Sequence, residues 1–117
     1  MGLQVIKARL WEDQDLDNTT IATDWVDVSQ LQKGSFSFVW SDGSTPVGEV
    51  QVFVSNEPDH ADEQELDLSA TLAVTGSSGA HVANIDQIPN RYMRLKYIGS
   101  SGTATGQAWF FGKGDAN

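Results

Sequence analysis

The amino-acid sequence predicts an all-β fold, a single antiparallel β-sandwich of about eight strands with a jelly-roll-like arrangement. Apolar residues alternate with polar ones in several short segments, as they do in strands with one buried face. The 11 glycines concentrate between these segments, where turns are expected. No apolar stripe with helical spacing persists for ten residues. Together these patterns favour strands over helices along the whole chain.

The first strands of the predicted core lie in the middle of the chain. Phe36, Phe38 and Trp40 alternate with smaller residues, and the segment ends at the turn-forming sequence 41–44. A second alternating segment, 50–54, follows. We expect these two segments to pair with each other as an antiparallel hairpin, joined by the connection 42–48.

The other predicted strands are 3–11, 23–28, 66–74, 80–85, 92–97 and 103–111. The strand 92–97 ends in a second glycine-serine turn, 99–102. The residues expected to line the sandwich interior are Phe36, Phe38, Trp40, Val50, Val52, Val54, Leu68, Leu72, Met93 and Leu95.

The length of 117 residues favours one domain spanning 1–117, which would bury roughly two thirds of the surface of the unfolded chain. We expect loosely ordered ends near 1–2 and 112–117. The first residues lack the apolar core of a signal peptide, and no apolar run reaches the ~18 residues of a membrane-spanning helix. The sequence therefore predicts neither a signal peptide nor a membrane span.

Charge and cysteine content exclude several classes of function. Sixteen acidic against seven basic residues give a formal net charge of −9, which argues against binding to nucleic acid or to an anionic membrane. Twelve of the acidic residues form two blocks, 12–27 and 57–67, without a lysine or arginine in either. The chain has no cysteine, so disulfides, thiolate metal sites and cysteine nucleophiles are all absent.

A calcium site is the sharpest metal hypothesis that the sequence offers. Asp13, Asp15, Asp17 and Asp24 stand at the first, third, fifth and twelfth places of a segment, the spacing of an EF-hand loop. However, Asn18 replaces the glycine expected at the sixth place, and Asp24 is shorter than the usual glutamate. We therefore predict a solvated acidic loop, with no metal and no cofactor.

Catalytic residues are not expected. His60 lies between Asp59 and Asp62, a pattern that would suit metal binding or acid-base chemistry, but an exposed loop after Pro58 is the favoured interpretation. The sequence contains neither a nucleophile elbow nor a glycine-rich phosphate loop before a helix. The sequence predicts a protein that is not an enzyme.

An interface is the favoured interpretation of the late aromatic and basic residues. The segment 109–111 places large aromatic side chains on both faces of a strand, so its second face needs a cover. Tyr92, Arg94 and Lys96 alternate on the outward face of another strand, and aromatic residues and arginine are common at interfaces. The predicted interface residues are Tyr92, Arg94, Lys96 and Trp109.

Two alternatives remain open for these residues. Arg94 and Lys96 would also keep an exposed strand face soluble. The four tryptophans could instead stack on sugar rings, which makes a carbohydrate-binding jelly-roll module the alternative function.

Two stretches, 33–56 and 89–106, resemble a recurring module of small phage and prophage virion proteins. The first stretch carries the sequence WSD (40–42), then PVG (46–48), and ends its strand at Ser55-Asn56; the second reads RYMRLKY (91–97) and continues to SGTATG (101–106). In that module both stretches are hairpins. This chain departs from it at Glu57-Pro58, where the family normally continues with Asp-Gly.

The resemblance implies a virion structural protein made in the host cytoplasm. It implies a homo-oligomer that acts as a capsid decoration protein or as a spike component associated with the capsid or tail. The expected partners are copies of the chain itself and a major capsid or tail protein.

Overall fold

The computed structural model describes residues 2–57, 59, 63–65, 71–88 and 90–116, and in these residues every regular element is a β-strand. The all-β prediction is therefore confirmed. The strands are β1 (Gly2–Leu16), β2 (Thr20–Ala22), β3 (Val26–Asp27), β4 (Lys33–Ser55), β5 (Gln64–Glu65), β6 (Leu72–Thr75), β7 (Gly79–Ile85) and β8 (Tyr92–Ala116). The described residues include no apolar helix of membrane-spanning length.

Two long strands organise the fold. β4 has 23 residues and β8 has 25, and they pair antiparallel along almost their whole length. A straight strand of 23 residues would measure ~75 Å, whereas the longest dimension of the molecule is 48 Å. Both strands must therefore bend.

The bend replaces the predicted hairpins. In β4 the residues Asp42 and Thr45 have φ angles of 53° and 47°, and in β8 Gly102 has a φ of 74°. At these left-handed residues the pairing between β4 and β8 becomes irregular. Its register shifts between Ser41, which lies opposite Thr105, and Gly48, which lies opposite Gly99. The chain thus bends at 42–48 and continues in the same direction.

The expected pairing of segments 35–40 and 50–54 with each other is wrong, because both pair with β8. Residues 92–111 likewise lie in one strand that pairs with β4, whereas the phage module has a hairpin at this place. Other boundaries differ too: 23–28 contains only β3, and the described part of 64–75 contains β5 and β6. Residues 112–116, expected to be loosely held, pair with β1.

The bend divides the single open sheet into two halves. The first half contains β1, 33–41 of β4, β7 and 104–116 of β8. The second half contains β2, β3, 47–55 of β4, β5, β6 and 92–101 of β8. β8 is therefore an inner strand in both halves.

One hydrophobic core serves both halves. Phe36, Phe38 and Trp40 are buried on the inner face of the first half. Tyr97 of the second half stacks on Phe38 with ring centroids 6.4 Å apart, which links the two halves. Of the other residues expected in the core, Val50, Val52, Val54, Met93 and Leu95 are buried, Leu72 is half-buried, and Leu68 lies outside the described residues. Separation into the two layers of a sandwich remains a prediction.

Candidate interaction surfaces

The outward face of β8 in the second half carries three of the predicted interface residues, Tyr92, Arg94 and Lys96. Arg94 and Lys96 both form ion pairs with Glu63, through its two different carboxylate oxygens. All three of these charged side chains are only about one-fifth exposed. The two cations are therefore neutralised inside the chain, an arrangement that neither the interface nor the solubility interpretation anticipated.

Aromatic rings complete this arrangement, which we call the Glu63 cluster: Trp25, Phe53, Glu63, Arg94 and Lys96. The Arg94 guanidinium lies 4.3 Å from the ring centre of Trp25, and the Lys96 ammonium lies 4.2 Å from that of Phe53. Burial opposes ionisation of Glu63, but hydrogen bonds and charge from Lys96 and Arg94 outweigh it and hold its pKa below the ordinary value.

Glu63 is not among the residues that the sequence patterns predict to form this surface. It belongs to the second acidic block, and it lies 31 and 33 residues before its two partners. No local pattern identifies one glutamate of such a block as an ion-pair partner of a distant strand. Alternation alone predicted that Arg94 and Lys96 share a face.

Tyr92 lies at the margin of the same half. It is half-buried, opposite Asp27 in register, and the Arg91 guanidinium lies 5.6 Å from its ring centre. The hydroxyl and backbone N–H of Ser29 donate hydrogen bonds of 2.7 and 3.0 Å to Asp27. These bonds, with a smaller contribution from the Arg91 charge, hold the pKa of Asp27 below its ordinary value.

Trp109 lies on the outward face of the first half. The guanidinium of Arg9 on β1 is 5.1 Å from its ring centre, and Arg9 also donates a 2.6 Å hydrogen bond to Gln107. Phe111, two residues along β8, is 43% exposed. We call this surface the basic-aromatic face: Lys7, Arg9, Lys33, Trp109, Phe111 and Lys113.

The calcium candidates do not converge in the structure. Asp13 accepts a 2.6 Å hydrogen bond from the Gln107 amide, and Asp17 accepts bonds from the backbone N–H and hydroxyl of Thr19. Asp15 and Asp24 are exposed. Within the described ranges, no three acidic or histidine residues are placed to share a metal ion. The expectation of no bound metal remains a prediction.

Two residues of the predicted histidine pattern, His60 and Asp62, lie outside the described residues. The other histidine, His81, packs against Trp40 with ring centroids 5.4 Å apart, and its Nε2 lies 2.5 Å from the carbonyl oxygen of Ala73. These contacts place His81 at the edge of the hydrophobic core, where it packs against other residues.

Comparisons with known proteins give structural matches only. No protein-family model matches the sequence, and no curated protein matches it. A structure of the Bacillus endospore appendages, a family of disulfide-linked pili, matches 98% of this chain and 91% of its own, with a TM-score of 0.55 and 14% identity.

The SPBc2 prophage-derived protein YomS is similar over 93% of this chain and 94% of its own, with a TM-score of 0.54 and 11% identity. At these identities the matches establish a shared fold. The chain therefore has the fold found in an endospore appendage protein and in a prophage-derived protein.

Proposed function

We propose that the protein is a non-enzymatic structural subunit that assembles with copies of itself, in a phage particle or in an extracellular appendage. The observation that carries the proposal is the fold, which extends over nearly the whole chain in both an appendage pilus protein and a prophage-derived protein. The sequence resemblance of 33–56 and 89–106 to phage virion proteins favours the same role, although these stretches do not form the hairpins of that module. Within a particle, the role is that of a capsid decoration protein or of a spike component at the capsid or tail.

The chemistry of assembly differs from that of the pilus neighbour. That neighbour belongs to a family described as disulfide-linked, whereas this chain has no cysteine. Association must therefore rest on noncovalent contacts, for which the exposed Phe111 and the half-buried Trp109 supply apolar area.

The proposal is tested by measuring the mass of the purified protein with sedimentation velocity over a wide concentration range, followed by negative-stain electron microscopy. Discrete oligomers support a decoration or spike subunit, and fibres support an appendage subunit. A protein that stays monomeric at every concentration and does not co-sediment with phage particles contradicts the proposal.

A carbohydrate-binding module is the second candidate, favoured by Trp109 and Phe111 on an open strand face. Under that function a glycan would shift the tryptophan fluorescence of the monomer, and Trp109→Ala would abolish the shift. The absence of any shift across a panel of neutral and anionic glycans contradicts it.

A further inference from the structure

The basic residues of the chain divide into two groups. Of seven lysines and arginines, Arg94 and Lys96 pair with Glu63, and Arg91 lies close enough to Asp27 to lower its pKa. The other four are Lys7, Arg9, Lys33 and Lys113. None of these four forms an ion pair with any acidic side chain that the structure describes.

These four residues share one surface because of the strand register. Lys7 lies opposite Phe111, and Arg9 opposite Trp109, across the β1–β8 pair. Lys33 lies directly opposite Lys113 across the β4–β8 pair. Like charges in register repel each other and are unfavourable without a counter-charge. In a protein of net charge −9, this concentration of unpaired cations requires an explanation.

The same surface exposes apolar area. Phe111 stands between two shallow cavities, one of about 210 Å³ bordered by Lys33, Lys113 and Asp86, and one of about 290 Å³ bordered by Lys7, Arg9 and Trp109. Asp86 is the one described acidic residue in either lining. On the same face, Val5 and Val82 are 45% and 59% exposed. A projecting aromatic residue between cavities, with cations around it, suits a protein partner with an acidic surface.

A fitting acidic surface exists on the chain itself. We call it the acidic margin; its exposed members are Glu12, Asp13, Asp15, Asp17, Asp24 and Asp27. It begins at the far end of β1 and follows β2 and β3 along the side of the second half. Asp15 lies opposite Thr105 of β8, eight residues from Lys113, which corresponds to ~26 Å along the strand. Asp15 therefore cannot reach Lys113 of the same copy. The two surfaces meet only where Asp13 and Arg9 both hydrogen-bond to Gln107, and there too the two charged side chains form no ion pair with each other.

We propose that the basic-aromatic face of one copy binds the acidic margin of a second copy. This inference rests on the proposed self-assembly and specifies its contact. The two surfaces differ, so the contact is head-to-tail, and repetition produces a ring or an open filament. Each contact gives the unpaired cations the acidic partners that they lack within one chain.

Charge reversal tests the pairing directly. The first variant combines Lys7→Glu with Lys113→Glu, and the second combines Glu12→Lys with Asp15→Lys. All four side chains are exposed. Each variant alone should assemble only at concentrations at least ~10-fold above those of the wild type, because like charges now face each other. Raising the salt concentration from about 50 to about 500 mM should weaken wild-type assembly in the same direction.

Mixing the two variants should restore assembly, because the reversed face of one then meets the reversed margin of the other. Nonspecific attraction does not explain such a rescue: each variant shifts the formal net charge of −9 by four units, so both remain negative. The contribution of apolar area is tested with Phe111→Ser, which should weaken assembly. The matched control is Val47→Ser, which should leave assembly unchanged because Val47 is 48% exposed but lies at the bend, away from this face.

Circular dichroism melting checks that each variant is folded. If the first variant is unfolded, the double substitution Lys7→Gln and Lys113→Gln is used in its place. Wild-type assembly that none of the reversals affects overturns the head-to-tail contact but leaves self-assembly standing. A wild type that remains monomeric overturns the head-to-tail contact, and it overturns the proposed function as well if it also fails to co-sediment with phage particles. A face that binds heparin while the protein stays monomeric overturns both in favour of an anionic glycan.

Discussion

The two halves of the sheet use the same strand pattern in opposite ways. β8 carries outward aromatic and basic residues in each half: Tyr92, Arg94 and Lys96 in the second, and Trp109, Phe111 and Lys113 in the first. In the second half, Glu63 and Trp25 cover the cations from within the chain. In the first half no described acidic side chain pairs with them. The alternation of a strand thus defines a face, but the neighbouring segments decide whether the charges on that face are paired within the chain.

The largest expected effect comes from the residue that joins the halves. Phe38 is 1% exposed and touches Trp11, Trp40 and Tyr97. Phe38→Ala should lower the free energy of unfolding by about 3–5 kcal/mol, because it leaves a cavity between the halves. Urea denaturation measures the loss. A loss below ~1 kcal/mol would contradict a shared core, since surface substitutions change stability by that little.

Glu63→Gln should reveal the contrast between the two outward faces. The substitution leaves Arg94 and Lys96 without a counter-charge, and we expect a loss of about 1–2 kcal/mol, less than for a fully buried pair because water still reaches these side chains. The matched control is Glu57→Gln, which is exposed and outside the described ion pairs. Equal stability of both variants in urea would show that the Glu63 cluster does not stabilise the fold.

Acid should weaken the second half through the same residue. The pKa of Glu63 is lowered in the folded state, so its stabilising effect is present above its ordinary value of 4.5 and is lost as the pH falls through the lowered value. Asp27 acts in the same direction from its ordinary value of 3.8. Urea midpoints measured between about pH 7 and pH 3 should decline less steeply for Glu63→Gln than for the wild type. Identical slopes would contradict the assignment.

The smallest expected effect concerns the acidic margin. A metal ion held there would neutralise the charges proposed to contact a second copy. We expect the melting temperature to change by less than ~1 °C on adding either a chelator or excess calcium, because only a ligand that binds the folded state stabilises it. Differential scanning calorimetry checks this, and a marked calcium-dependent rise would restore the EF-hand-like hypothesis for Asp13, Asp15, Asp17 and Asp24.

Local alternation predicted the buried faces but not the course of the chain. Phe36, Phe38 and Trp40 were assigned to the core because a strand repeats every two residues. The sequence 41–44 is equally typical of a hairpin and of a bend, since Asp42 and a nearby glycine suit both. The choice depends on pairing with β8, about 60 residues away in the chain. The Glu63 cluster could not be predicted either, because Glu63 lies 31 and 33 residues from its two partners in the sequence.

The central position of β8 has a consequence for the timing of folding. β1, β2, β3 and β4 all hydrogen-bond to β8, which is the last strand of the eight in chain order. During synthesis, neither half can pair with β8 until residues 92–116 have left the ribosome, whereas β4 can already pair with β5, β6 and β7. Such distant pairing slows folding. It also delays completion of the basic-aromatic face, because Trp109, Phe111 and Lys113 arrive with this final strand. Under the proposed self-assembly, a nascent chain would therefore acquire its contact surface only once its own fold is complete.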